Sequence, residues 1–467
     1  MDRYRLVYKY QSKIKLIMKH TEKTISDFLS NDYKEFAIYT IENRAIPSVI
    51  DSFKPSQRKI IHISNLTWKT GSEKPLKIFQ LAGKVAHESF FHHGSASLEN
   101  AIITMAQRFK NNAPLLEEVG QFGTLRQPEA SAPRYIGTKL TPYFRLIYKD
   151  FELLNYKEEE GEKIEPEYFL PIVPMVLVNG SSGIAVGFSS NILNRNLLEL
   201  VETCEMVLKG KKIKPLTPTI FSFNGEFIPD TENHKRWIIR GKFVRMNTTT
   251  IRVVDLPISM TYEKYENLLD ALVESGKIQS YDDNCKENID YVIKFKRAEL
   301  EKLKDEDLIK LLKLEEYSTE IFNTLDEFGK LKQFESDVEI INYFVKFRLT
   351  WYQKRKDYLL DKMKRELLIM TNRVRFIKSI IDKKLEVRNK PKAEIISNLD
   401  NMKFDKVDGD YDYLLRMAIW SLTKEMYEKL LKEIETKKQE IDQLEKKEPK
   451  SIYLEDLKEL KSKIQKN

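Results

Sequence analysis

The chain has only two cysteines, Cys204 and Cys285, among 467 residues. That is too few for a thiolate metal site, and no paired-cysteine framework is available to staple a small fold. No run of about 18 apolar residues occurs, which excludes a membrane-spanning helix. The opening "MDRYRLVYKYQSK" has no apolar stretch of the kind a secretory signal needs. These absences lead us to expect a reduced, cytoplasmic protein. There is no G-x-x-x-x-G-K-[ST] phosphate loop, and the six histidines form no H-E-x-x-H pair. "DGDYD" places Asp408, Asp410 and Asp412 at alternate positions, but a calcium loop would want Gly and Glu where Tyr413 and Ile419 stand. Nucleotide hydrolysis and metal binding are not expected of these residues.

What is present suits several packed cores. Hydrophobic residues make up 41% of the chain, and a length of 467 residues suggests about three domains. The net charge of +8 is mild, so its distribution matters more than its sum. Between Arg44 and Lys84 lie eight basic residues against two acids, Asp51 and Glu73. This is a candidate surface for a polyanion.

Three changes of character divide the chain. Leu76, Phe79, Ala82, Ala86 and Phe90 recur at helical spacing, as do Leu98, Ile102, Met105 and Phe109. The turn "HHGSAS" between them offers Gly94 for flexibility and Ser95 or Ser97 as a cap, which is helix-turn-helix grammar. Residues 165–260 then read as mixed α/β. In "NIDYVIKFK", Ile289, Tyr291, Ile293 and Phe295 alternate as on one face of a strand. From Phe344 the chain becomes charged and rich in Leu and Lys. Tyr352, Leu359, Met363, Leu367, Met370, Val374, Ile377 and Ile381 form one seam, and Tyr427, Leu430, Ile434, Ile441 and Leu444 a second. The two arms, separated by a stretch containing Pro391, Gly409 and Trp420, are expected to fold back antiparallel with a globular tip. A helix of about 36 residues would carry that tip about 54 Å. The Lys-rich tail after Lys446 reads as a solvated helix end.

Five segments in order carry a family resemblance: "ENRAIPSVIDSFKPSQRKII" (42–61), "QLAGKVAHESFFHHGSASLENAIITMAQRF" (80–109), "GQFGTLRQPEASAPRYI" (120–136), "PEYFLPIVPMVLVNGSSGIAVGFSSNI" (166–192) and "DYDYLLRMAIWSLTKE" (410–425). Together they resemble the breakage-reunion region of type IIA DNA topoisomerases. The resemblance implies a multidomain α+β fold. Its parts would be an N-terminal arm (1–35), a winged-helix domain with the catalytic tyrosine (36–165), an α/β tower (166–343), and a long antiparallel coiled coil with a helical dimer gate (344–467, tip about 388–420).

By resemblance, Tyr135, one of 22 tyrosines, is the nucleophile that takes the 5′ end of a cut strand, and Arg134 steadies the phosphate charge. A phenol is a good leaving group for a reversible step but a poor nucleophile at pH 7, a deficit of about 3 pKa units or about 4 kcal/mol. The resemblance further places Arg44, Lys54, Gln57, Arg58, Lys59, Lys84, His92, His93, Ser95 and Gln121 at the DNA. Ile192 would be the wedge that bends the duplex. This chain departs from the family at Ser52-Phe53, where Gly-Leu is usual, and at Leu193, where Pro is usual.

The family's TOPRIM domain and ATPase module are absent from this sequence. The resemblance therefore implies that Mg2+ and ATP are bound by a partner subunit, in a heterotetramer with a homodimer of this chain acting on double-stranded DNA. The chain leaves no room for a DNA-wrapping domain, so relaxation and decatenation are the expected outcomes. "ASAPRYI" on a split-subunit architecture suggests a virus or phage, and hence a host cytoplasm. The alternative is a dimeric architectural protein that bends DNA without cutting it.

Overall fold

The computed structural model describes residues 23–71, 73–286, 288–418 and 423–465. Residues 1–22 of the expected arm and Trp420 lie outside them. None of the described helices is long and apolar enough to cross a membrane.

A helical run that alternates α and wider π turns, Ile25–Phe28, Leu29–Tyr33, Lys34–Thr40 and Ile41–Ala45, leads into the first compact unit. Helix α1 (Pro55–Thr67) starts on a proline, and the Gln57 side chain accepts from the Lys54 backbone N–H. Ser52, two residues earlier, has φ 68°. This is the left-handed region that glycine favours, so the turn forms without the family's glycine at the expense of some backbone strain.

Strand β1 (Leu76–Lys77) leads into α2 (Ile78–Glu88), followed by α3 (Ser95–Ala106). The two helices of the expected helix-turn-helix are present. However, α2 buries Ile78, Leu81, Ala82 and Val85, while Phe79 is 46% exposed. The core-facing stripe is therefore offset by one residue from the expected one. Gly94 precedes α3, and Ser97 Oγ donates to Gly94 O instead of capping the helix. Strand β2 (Gly137–Thr138) pairs with β1, and β3 (Tyr156–Glu159) with β4 (Glu162–Pro166). The apolar stretch around 175 makes a buried helical turn, Met175–Val178. A hairpin of β5 (Ser181–Ile184) and β6 (Ser189–Ile192) follows, and then α4 (Leu197–Leu208).

A three-stranded sheet comes next, built from β7 (Glu226–Pro229), β8 (Arg236–Arg240) and the later β13 (Glu315–Thr319). Between β8 and β13 lies a separate body. Its sheet runs β9-β10-β12-β11, from β9 (Lys242–Arg245), β10 (Thr250–Asp255), β11 (Ser280–Asp283) and β12 (Tyr291–Lys294), with α5 (Tyr262–Glu274) packed on it. Ile289, Tyr291, Ile293 and Phe295 are all buried there, as their alternation predicts. The hairpin β14 (Phe322–Leu325) and β15 (Leu331–Phe334) returns to the first unit.

Helix α6 (Asp337–Ile381) has 45 residues, about 68 Å, with Ser336 accepting from Glu339 N–H at its start. It packs antiparallel against α8 (Lys424–Lys446): Lys356 Nζ donates to Glu445 O at 2.8 Å and Lys437 Nζ meets Glu366 at 3.1 Å. Within the expected seams Tyr352, Val374, Ile377, Ile434 and Ile441 are buried, whereas Ile381 is exposed. Between α6 and α8 a small core gathers Phe376, Leu385, Leu399, Phe404 and Leu414 around α7 (Lys392–Asn401).

The tail differs from expectation. Helix α9 (Pro449–Ile464) sends Ile452, Tyr453, Leu457 and Leu460 into the largest core, although lysine is its commonest residue. These four residues form a helical stripe, and the lysines occupy the other faces. The same core takes residues from α1 through α4, from the start of α6 and from α9, so the expected division at 165/166 falls inside it.

Candidate active site

Residues 120–136 form a loop closed at its stem. Val119 and Gly137 exchange backbone hydrogen bonds at 3.1 and 2.8 Å. Tyr135 stands beside that stem, and its side chain is 66% exposed. Two cations flank it. The Arg134 guanidinium lies 5.1 Å from the ring centroid, and Lys77 Nζ donates to the Tyr135 carbonyl at 2.6 Å. Arg134 is exposed, and no carboxylate pairs with either cation among the described contacts. A phosphate reaching the phenol would therefore enter a locally positive field with nothing to neutralise it first. Lys77 was not singled out in the sequence beyond its place in the basic stretch. Only the pairing of β1 with β2, which sets Lys77 opposite Gly137, brings it beside residue 135.

The basic strip divides in two. Arg44 is exposed at the end of the leading helical run. Lys54 Nζ donates to Ser182 O at 2.8 Å, and partial burial lowers its pKa from the ordinary lysine range. Arg58 and Lys59 correct the expectation that both face DNA. Arg58 is buried, with Nε 2.7 Å from Asp51 Oδ2. Burial opposes its charge, but the adjoining Asp51 more than offsets this and holds the guanidinium above its ordinary pKa. Lys59 turns inward to Glu165 at 2.8 Å and to the Ser89 carbonyl. Gln57 spends its side-chain oxygen on the start of α1.

The remaining residues lie near the surface. Lys84 is half-buried and sits 3.7 Å from Glu88. His92 Nε2 lies 3.0 Å from Glu159, His93 Nε2 lies 3.5 Å from Tyr39 Oη, and Ser95 is exposed at the first position of α3. Gln121 folds back within the loop and accepts from Ser131 N–H at 3.1 Å.

Ile192 is 3% exposed in β6 and packs in the largest core, so it cannot enter a base step. The exposed isoleucine of this hairpin is Ile184, at 87%, where β5 gives way to the turn. Sequence reading missed it because hairpin register decides which of two isoleucines points outward. Gly183 beside it leaves no room for a side chain: a Cβ there would collide with the Ala45 carbonyl oxygen.

Among the described residues, no group of three or more His, Cys, Asp or Glu side chains is placed to hold a metal ion. Asp408 pairs with Arg365, and Asp412 with Arg416 and Lys392.

Comparison with known proteins gives a consistent picture. The family of DNA gyrase/topoisomerase IV A subunits matches residues 44–459. The mitochondrial DNA topoisomerase 2 of Dictyostelium discoideum is 32% identical over 464 residues, covering 96% of this chain and 36% of that protein. DNA topoisomerase 2-alpha of Gallus gallus is 32% identical over 475 residues, 93% of this chain and 30% of the relative. A crystal structure of the Plasmodium falciparum topoisomerase II DNA-binding, cleavage and re-ligation domain superposes with a TM-score of 0.82 at 32% identity, covering 94% of this chain and 64% of that one. The chain thus spans about a third of the length of these curated relatives.

Proposed function

The chain belongs to the family of DNA gyrase/topoisomerase IV A subunits, and from that membership we propose that it is the DNA-cleaving and rejoining part of a type IIA topoisomerase. The observation that carries this reading is Tyr135, an exposed phenol with Arg134 beside its ring and Lys77 on its carbonyl. Tyr135 Oη attacks a backbone phosphorus. The bond from phosphorus to the 3′ oxygen breaks, the phenol gives its proton to solvent, and the 3′ oxygen gains one. The 5′ end stays on the tyrosine until the 3′-OH reverses the step, and Arg134 offsets the charge that builds on the phosphate. An architectural protein that only bends DNA has no use for a tyrosine presented in this way.

A divalent ion does not fit the described residues, since the groups around Tyr135 are cations and no acidic cluster exists among them. In our reading Mg2+ and ATP belong to a partner subunit that carries the TOPRIM and ATPase modules. The chain itself would pair as a homodimer through the tip around α7. Residues 36–165 would carry the winged helix, sharing their core with the start of 166–343, which would hold the tower, and 344–467 would form the coiled coil. Arg44, Lys54, His92 and Ser95 would meet DNA, and Ile184 takes over the bending role expected of Ile192. In the assembled complex, Tyr135→Phe should abolish covalent protein-DNA adducts trapped by detergent and leave DNA affinity within about twofold, since the exposed ring supports no packing. Adducts persisting at the parent level would refute the assignment.

A further inference from the structure

The loop that carries Tyr135 is anchored at its far end, nine residues away, by a buried arginine. Arg126 inserts its guanidinium into the turn that follows β10. Nη2 donates to Asp255 Oδ1 and to the Leu256 carbonyl, both at 2.5 Å, while Nη1 donates to the Pro257 carbonyl at 2.5 Å and the Met260 carbonyl at 3.0 Å. Asp255 is itself fixed, because its other oxygen accepts from Asn224 N–H at 2.7 Å. The backbone joins in: Tyr262 N–H donates to the Arg126 carbonyl at 3.2 Å. The neighbouring Leu125 packs against Ile220, Phe223 and Ile239.

Between Arg126 and Tyr135 the loop is stiff. Thr124 and Gln127 exchange backbone hydrogen bonds at 2.8 and 3.2 Å. The buried Gln107 side chain, reaching from the end of α3, donates to both legs, at Phe122 O (2.8 Å) and Pro128 O (3.2 Å). Ser131 N–H is held by Gln121, and Tyr135 N–H closes on Ala132 O at 2.9 Å. Gly123 has φ 85°, and a Cβ there would lie 2.8 Å from the Gln127 carbonyl oxygen. These rungs leave few soft torsions between the anchor and the phenol. The gripped turn continues through Leu256 into the separate body with the Ile251 to Leu314 core, whereas Ile78 and Ile136, the neighbours of Lys77 and of the stem, lie in the largest core.

We propose that Arg126 is a positioning residue for strand cleavage: through its grip on the Asp255 turn, the body of β9 to β12 sets where the Tyr135 hydroxyl stands. This rests on Tyr135 being the nucleophile. The energetic basis is orientation, since a displacement of about 1 Å at a reacting atom costs on the order of 100-fold in rate without any loss of binding. The grip is specific to arginine, because a lysine ammonium cannot address one carboxylate and three carbonyls as a planar fork does.

The test uses the chain assembled with its partner subunit on supercoiled plasmid. Detergent-trapped covalent adduct is followed in single turnover at saturating DNA, and affinity is measured separately. Arg126→Ala, Arg126→Lys and Asp255→Asn should each slow adduct formation at least tenfold while DNA affinity stays within about twofold. The Arg126→Ala/Asp255→Asn double variant should be no slower than the slower single one, because both break one grip. A cleavage rate at the parent level in any folded variant would overturn the proposal, and so would DNA affinity that falls in proportion to the rate. If Arg126→Ala fails to fold, Asp255→Asn, which keeps the side chain's shape, carries the test. Tyr135→Phe controls the premise: adducts persisting there refute the nucleophile, whereas fast cleavage in the Arg126 variants with Tyr135→Phe inert refutes only the positioning role.

Discussion

Residues 44–59 and residues 120–136 each carry two arginines, and in each segment the fold buries one and presents the other. In the first segment, Asp51 from the same turn and Glu165 from β4 draw Arg58 and Lys59 inward, leaving Arg44 as the exposed arginine. In the second, Arg134 is left facing solvent beside Tyr135, while Arg126 is spent on fixing the loop. Within each segment, then, one arginine holds structure and another is presented. What separates them is whether a carboxylate and carbonyls close around the guanidinium, which neither charge counting nor spacing reveals.

The contrast predicts a large stability difference. Asp51→Ala removes the partner of a buried guanidinium and two backbone acceptor contacts, to Phe53 N–H and Phe169 N–H. It should cost about 3–5 kcal/mol, read as a lowered denaturant midpoint. Arg134→Ala, on the surface, should stay within about 0.5 kcal/mol. Equal losses in the two variants would erase the distinction between them.

The two isoleucines of the β5–β6 hairpin repeat the contrast in apolar form. Ile192→Ala empties a core position and should destabilise by about 2–5 kcal/mol. Ile184→Ala should leave stability within about 0.5 kcal/mol and reduce the bend of a bound duplex, measured by energy transfer between dyes on its ends. A bend that is lost with Ile192→Ala and kept with Ile184→Ala would restore the original assignment.

How much of this could be read in advance depended on the range of the interactions involved. The alternation at 289–295 and the heptad spacing before Ile377 are local signals, and the buried residues follow them. Helix α2 was legible as a helix, but its buried face was not, because Phe79 looked like the better core residue until α3 and β2 defined which side was inside. Helix α9 was hidden by composition. Its stripe of Ile452, Tyr453, Leu457 and Leu460 is regular, but lysines between them suggested solvent, and only the return of the chain to the largest core gives the stripe a surface to cover. At the site, Tyr135 and Arg134 came from the order of five segments. Lys77, Ile184 and Arg126 depend instead on strand register and on contacts across 58 to 134 positions, for which a single sequence carries no signal.

The smallest effect returns to the basic strip and separates its members by salt. Each phosphate contact made by a cation contributes about 0.9 to the slope of log affinity against log salt concentration. Arg44, exposed and at the end of its helical run, should lose about that much per contact on substitution to Gln. Lys59 already has Glu165 and the Ser89 carbonyl as partners, so it releases no counterion when DNA arrives, and Lys59→Gln should leave the slope unchanged even where it lowers stability. A slope that falls equally in both variants would mean that Lys59 exchanges its internal partner for a phosphate. The inward half of the strip would then be a reserve opened by DNA, and the division within the strip would hold only for the free protein.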